Sequence, residues 1–110
     1  MDPLLHFSPA CSGDALLLSG IARASKAHWR YPAEWMEAWL PQLEITGDFI
    51  TAHTVITAQL GGQTIGFYAI GGEAPLADLL HFWLLPDFIG RGMGKRMFQH
   101  ALATARAGEI

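Results

Sequence analysis

The stretch from Leu79 to Ala107, LLHFWLLPDFIGRGMGKRMFQHALATARA, limits the possible folds more than any other part of the chain. An apolar run leads to a turn at Pro86-Asp87, then to alternating Gly90, Gly92 and Gly94, then to Met97, Phe98, Ala101, Leu102 and Ala105 at helical spacing. The order is strand, glycine loop, helix. Alternating glycines let backbone approach an anion with no side chain between them, and the first helical turn adds unpaired N–H groups with partial positive charge. Arg91, Lys95 and Arg96 put formal charge at the same place. The pattern predicts a phosphate cradle, and its competitor is an ordinary helix start with a solvated basic face.

Two familiar glycine patterns fail here. A Walker loop requires GxxxxGK followed by Ser or Thr; Gly90 to Lys95 is one residue short and Arg96 follows the lysine. A dinucleotide fingerprint requires GxGxxG after an early first strand, whereas this loop reads GxGxG late in the chain. The segment Ile89-Gly90-Arg91-Gly92-Met93-Gly94 instead resembles the acetyl-CoA loop of the GNAT superfamily N-acetyltransferases, Q/R-x-x-G-x-G/A. Its glycines match, while Ile89 stands where the motif carries Gln or Arg. Backbone N–H groups do most of the holding in such a loop, so an isoleucine weakens the match without excluding binding.

The resemblance implies an α/β domain with a mixed sheet, acetyl-CoA as co-substrate, and no metal. It implies that residues 89–96 (Ile89, Gly90, Arg91, Gly92, Met93, Gly94, Lys95 and Arg96) hold the pyrophosphate, and that backbone groups of Trp83, Leu84 and Leu85 bind the pantetheine arm. The string from Lys26 to Trp39 is similar to a segment of one acetyltransferase branch in which the first two helices wall the acceptor site; Tyr31 and Trp35 are the expected pocket residues, with Trp29 and Trp39 in the core. For a general base, His81 lies on the face of Trp83 and Leu85 and titrates near neutrality, the alternative being a hydrogen-bonded structural histidine. Leu80 occupies the position where related sequences carry a carboxylate, and Glu73 and Asp78 are weaker choices. His53 and His100 read as surface residues, and no metal-ligand or Ser-His-Asp spacing is present.

At 110 residues, with 51% hydrophobic and 15% charged residues, the chain is expected to form one packed domain, residues 1–110. The resemblance makes that domain the N-terminal two-thirds of the family fold, ending after Gly108 as a helix cap and Glu109-Ile110 as the first residues of another strand. A fifth strand, a helix bearing the usual tyrosine acid, and two closing strands would follow. The lone Cys11 excludes an internal disulfide and fits a cytoplasmic location. No run approaches the roughly 18 apolar residues of a membrane span, and no basic region precedes the apolar N-terminal residues. Net charge is −3, divided as −6 over residues 1–90 and +3 over residues 91–110, which favours a small anionic ligand over a nucleic-acid footprint.

In chain order, the pattern predicts a short strand at Leu4 to Phe7 between Pro3 and Pro9. A first helix starts from Ser12 or Asp14, carries Leu18, Ile21, Ala22, Ser25 and Trp29 on one stripe, and ends near Trp29. A second begins after Tyr31-Pro32 with Trp35, Met36, Trp39, Leu40 and Leu43 as its stripe, and Pro41 should kink or restart it. A short turn at Thr46 to Phe49 precedes a hairpin, His53–Leu60 and Gln63–Ile70, joined by Gly61-Gly62. Ile65, Phe67 and Ala69 fall on one face; Thr64, Tyr68 and Ile70 fall on the other. The run from Leu76 to Leu85, apolar on both faces, reads as the central covered strand. The order is β-α-α-β-β-β-α. The resemblance implies N-acetylation of a primary amine, on a small molecule or a protein, and no nucleic acid or membrane partner is expected. The alternatives are a CoA-binding module without turnover and a fragment that pairs with a second copy through its exposed strand edge.

Overall fold

The computed structural model describes residues 5–28, 32–72 and 78–107. Expectations that fall on Leu4, Trp29, Tyr31, Glu73, Gly108, Glu109 and Ile110 lie outside the described residues. The elements are β1 (Leu5–Pro9), a 3-10 turn (Ser12–Asp14), α1 (Ala15–Ala27), α2 (Ala33–Leu43), α3 (Gly47–Ala52), β2 (Thr54–Leu60), β3 (Gln63–Gly71), β4 (Asp78–Leu84), a second 3-10 turn (Pro86–Phe88) and α4 (Met93–Ala107). Among the described residues they form one antiparallel sheet in the order β1-β2-β3-β4. Helices α1, α2 and α3 cover one face, around Leu18, Ile21, Leu43, Val55 and Phe67. The other face packs on α4 through Ile65, Met93 and Met97 and through Tyr68 and Ala101.

Helix α1 buries the stripe expected of it, Leu18, Ile21, Ala22 and Ser25. Ser19 is buried as well, and its hydroxyl accepts the Ile45 N–H at 2.8 Å while lying 3.1 Å from the Ile45 carbonyl and 2.8 Å from that of Ala15. One side chain thus pairs both backbone groups of a buried residue in the α2–α3 connection. Pro41 does not restart α2, which runs unbroken to Leu43. Pro41 sits in the last turn and is exposed, close to the helix end where unpaired carbonyls occur in any case. Thr46 caps α3 by accepting the Phe49 N–H at 3.0 Å.

The β2–β3 hairpin turns at Gly61 and Gly62, both with positive φ (58° and 86°), the geometry that matches the twist of the flanking strands. The pairing Ala58↔Gly66 followed by Gln59↔Thr64 leaves Ile65 as an extra residue. This bulge corrects the expected alternation: Ile65 leaves the face of Phe67 and Ala69 and packs with Leu84, Met93 and Met97. Strand β1 extends to Pro9, opposite Ile56, because a proline at the end of an edge strand forfeits no ladder bond.

Among the described residues, the apolar run ending at Leu85 is not central. Strand β4 is the edge of the four-stranded sheet, with Leu79 and Leu80 exposed (48% and 39%), while β3 is the buried strand from Ile65 to Ile70. Apolarity on both faces reflects helices above and below β4 and carries no information about a strand beside it.

Candidate functional site

The glycine loop is positioned from both sides. Upstream, Pro86 opens the 3-10 turn, whose N–H groups at Phe88 and Ile89 donate to the carbonyls of Leu85 (2.9 Å) and Pro86 (3.2 Å). Downstream, Met93 is buried with Met97 against the sheet, and Ile89 packs beside them. Ile89 and Met93 thereby anchor the loop inward, which accounts for an apolar residue at the position where Gln or Arg was expected. Gly90 and Gly92 take φ of +82° and +84°, a region that L side chains rarely adopt, and a Cβ added at Gly90, Gly92 or Gly94 would meet no atom within 4 Å. The loop surface is open. Arg91 is tied down, its Nη1 donating to the Asp87 carbonyl at 3.1 Å and its guanidinium lying 5.3 Å from the Phe88 ring centre. Lys95 is exposed and Arg96 partly buried on the first turn of α4.

Strand β4 leads into this loop with one edge free among the described residues. The Leu85 N–H donates to the Ile65 carbonyl at 2.7 Å, and the Trp83 carbonyl lies so close to β3 that a Cβ on Gly66 would meet it at 2.6 Å. Antiparallel backbone groups alternate in direction, so Trp83 and Leu85 turn theirs inward and Phe82 and Leu84 present theirs outward. Of the three residues expected to contribute backbone groups, Trp83 and Leu85 thus turn theirs toward β3 and Leu84 turns its own outward, as does Phe82. A cavity of about 240 Å³ follows that edge, touching Phe82, Trp83, Leu84, Ile89, Gly90 and Gly94, with the buried Ser25 of α1 on its far side. Ser25 went unnoticed as a site residue, although it was the one polar side chain on the apolar stripe of α1.

On the α1–α2 side of β4, a second cavity of about 370 Å³ is lined by Lys26, Trp39, Gln42, Leu80, His81 and Trp83, among others. Leu80 reaches it through another irregularity: Ile70 pairs with Leu79 and Ala69 with His81, leaving Leu80 extra and turned to the side of His81. The Lys26 Nζ sits 4.1 Å from the Trp39 ring centre and 6.0 Å from that of Trp83. His81 Nδ1 accepts the Trp83 Nε1–H at 2.9 Å, which leaves the proton of the neutral ring on Nε2. Burial lowers the pKa of His81, and the neighbouring charge of His53 lowers it further. Trp39, expected in the core, borders this cavity, whereas Trp35 is 51% exposed and meets Trp39 edge-on at 6.0 Å.

His53 and His100, expected at the surface, are both partly buried. His53 stacks on Phe49 at 4.2 Å, with Nδ1 3.0 Å from the Phe49 carbonyl. His100, on α4, stacks on Phe7 at 4.1 Å, and its Nδ1 lies 2.7 Å from the Tyr68 hydroxyl, which is also 2.8 Å from Thr104 Oγ1. Burial lowers the His100 pKa and raises that of Tyr68, an effect the bond to Thr104 partly offsets. His53 is held by a residue four positions away, whereas the stacking and the long-range hydrogen bond that draw His100 inward are invisible in local sequence.

Solved structures share this architecture. PaiA N-acetyltransferase from Thermoplasma acidophilum, in complex with coenzyme A, matches with a TM-score of 0.82 and 20% identity over 96% of this chain and 74% of that one. A GCN5-related N-acetyltransferase from Rhodopseudomonas palustris matches with a TM-score of 0.77 and 21% identity, over 100% of this chain and 71% of that one. A GNAT-family acetyltransferase from Brucella melitensis, in complex with acetyl-CoA, matches with a TM-score of 0.67 and 20% identity over 94% and 70% of the two chains. At such identities the likeness is one of fold. No curated protein matches the sequence. A family model described as the acetyltransferase (GNAT) family matches residues 21–110, from the middle of α1 through α4 and beyond, and the chain therefore belongs to that family.

Proposed function

We propose that this chain transfers the acetyl group of acetyl-CoA to a primary amine. The observation that carries this reading is the continuity of one cavity from Gly90 and Gly94 to the free backbone edge at Phe82 and Leu84. The open loop at the start of α4 offers N–H groups and, with Lys95 and Arg96, positive charge to a pyrophosphate. The outward groups of Phe82 and Leu84 suit an extended pantetheine arm, bound as an added strand would be. An N–H on that edge is placed to stabilise the negative charge that develops on the thioester oxygen.

In the reaction, the amine nitrogen attacks the carbonyl carbon, the C–N bond forms as the C–S bond breaks, and the sulfur leaves as a thiolate that takes up a proton. The proton lost by the amine goes to His81, which its lowered pKa keeps neutral and receptive at pH 7. Its basic Nδ1 lone pair is shared with the Trp83 indole, so proton uptake displaces that hydrogen bond. This same bond favours a second reading, a CoA-binding module without turnover.

Two measurements on the full chain separate these readings. Acetyl-CoA should raise the Tm, and a panel of amines should release free CoA thiol. A raised Tm without thiol release selects the binding module. Gly92→Val should abolish both effects while unfolding stays cooperative, and Lys95→Ala should weaken CoA binding more at low salt than at high. Undiminished CoA affinity in Gly92→Val would sink the cradle assignment.

A further inference from the structure

Helix α1 buries two serines, Ser19 at 3% exposure and Ser25 at 5%, and their hydroxyls are in opposite situations. Ser19 is fully committed, pairing with the Ala15 carbonyl one turn back and with both backbone groups of Ile45. Ser25, further along the same helix, makes no hydrogen bond among the described residues, not even the bond to a carbonyl one turn back that Ser19 makes. A hydroxyl left so in an interior is destabilising. Among the described residues no fully enclosed side-chain polar atom lacks a partner, so the Ser25 hydroxyl is not sealed in. The space it reaches is the cavity of about 240 Å³ that runs from the glycine loop along the β4 edge. The rest of the described lining brings no other free side-chain polar group to that space: Phe82, Leu84, Ile89, Gly90 and Gly94 have none, and the Trp83 indole N–H is already donated to His81.

We infer, resting on the acetyl-CoA reading above, that Ser25 binds the pantetheine arm, its hydroxyl meeting a polar group on the side of the arm that faces away from β4. An arm laid along β4 as an added strand pairs on one side only, through Phe82 and Leu84, while its remaining amide and hydroxyl groups lose water on entering the cavity. Ser25 stands on that second side. Its hydroxyl both donates and accepts, so it serves an amide carbonyl, an amide N–H or a hydroxyl alike. The phosphates need it less, because backbone N–H groups at the start of α4 and the Lys95 ammonium already supply donors beside Gly90 and Gly94. Packing of α1 against β4 keeps Ser25 beside the strand.

The same substitution at the two serines tests this on the full chain by titration calorimetry, which needs no turnover. Ser25→Ala should weaken acetyl-CoA binding about fivefold. The Tm of the unliganded variant should equal or slightly exceed that of the wild type, since alanine suits a helix and no partner is lost. Ser19→Ala should do the reverse, lowering that Tm by about 5 °C and leaving acetyl-CoA affinity unchanged. ADP, which has the nucleotide end of CoA and no arm, should bind the wild type and Ser25→Ala equally. Unchanged acetyl-CoA affinity in Ser25→Ala, a fall in its unliganded Tm like that of Ser19→Ala, or an equal loss for ADP overturns the inference and leaves CoA binding standing. A wild-type chain that binds no acetyl-CoA overturns both the inference and the reading beneath it.

Discussion

Two histidines, one on each face of the sheet, are alike in chemistry and opposite in situation. His81 and His100 are both partly buried, both are hydrogen-bonded through Nδ1 to a neighbour, and both have a pKa lowered by burial. On the α4 side, His100 is closed in: Phe7 covers its ring, and Tyr68 and Thr104 complete a polar triangle that joins α4 to β3. On the α1–α2 side, His81 accepts one side-chain hydrogen bond, from Trp83, meets the Phe49 ring edge-on at 5.4 Å, and borders a cavity large enough for a small molecule. A lowered pKa therefore does not by itself mark a histidine as catalytic; what distinguishes His81 from His100 is the cavity it borders.

The largest expected effect would break the symmetry outright. His81→Gln should lower kcat by about 100-fold, worth roughly 2.7 kcal/mol, and remove the ionisation governing the acid limb of the pH–rate profile, with little change in Tm. An equal loss from His100→Phe, corrected for folded fraction, would erase the distinction. Next in size, Tyr68→Phe removes the hydroxyl shared by His100 and Thr104 and should cost about 1–2 kcal/mol in urea unfolding, leaving kcat per folded molecule unchanged.

The smallest effect concerns pH. Both histidines titrate near 6.5 when unfolded and lower when folded. The unfolded chain thus binds more protons as pH falls below about 6.5, and stability declines until both folded-state pKa values are passed. Unfolding free energies measured across that window should fall with acid, and either His81→Gln or His100→Phe should flatten part of the slope. A flat wild-type profile would contradict the burial assigned to both rings.

What could be read from the sequence was local. The Leu79–Ala107 order, the Gly61-Gly62 hairpin and the stripe of α1 are periodic patterns or tight turns, and the structure reproduces them. What escaped was set at a distance or by a single inserted residue. The bulge at Ile65 and the extra residue at Leu80 each reverse the face of a side chain without disturbing composition. His100 read as surface because Phe7 and Tyr68 reach it only after folding. Trp35 and Trp39 share the apolar stripe of α2; Trp35 was expected at a pocket and Trp39 in the core, yet it is Trp39 that lines the cavity beside His81 while Trp35 is exposed.

The close approach of β3 to β4 at Gly66 has a consequence for which sequences this domain tolerates. A methyl group there would stand 2.6 Å from the Trp83 carbonyl, a backbone atom with no flexible side chain to swing aside. Any other residue would push the two strands apart beside the edge where Phe82 and Leu84 face outward. Position 66 thus acts as a spacer of zero width, and the separation of β3 and β4 beside Trp83 is set by the absence of a side chain there.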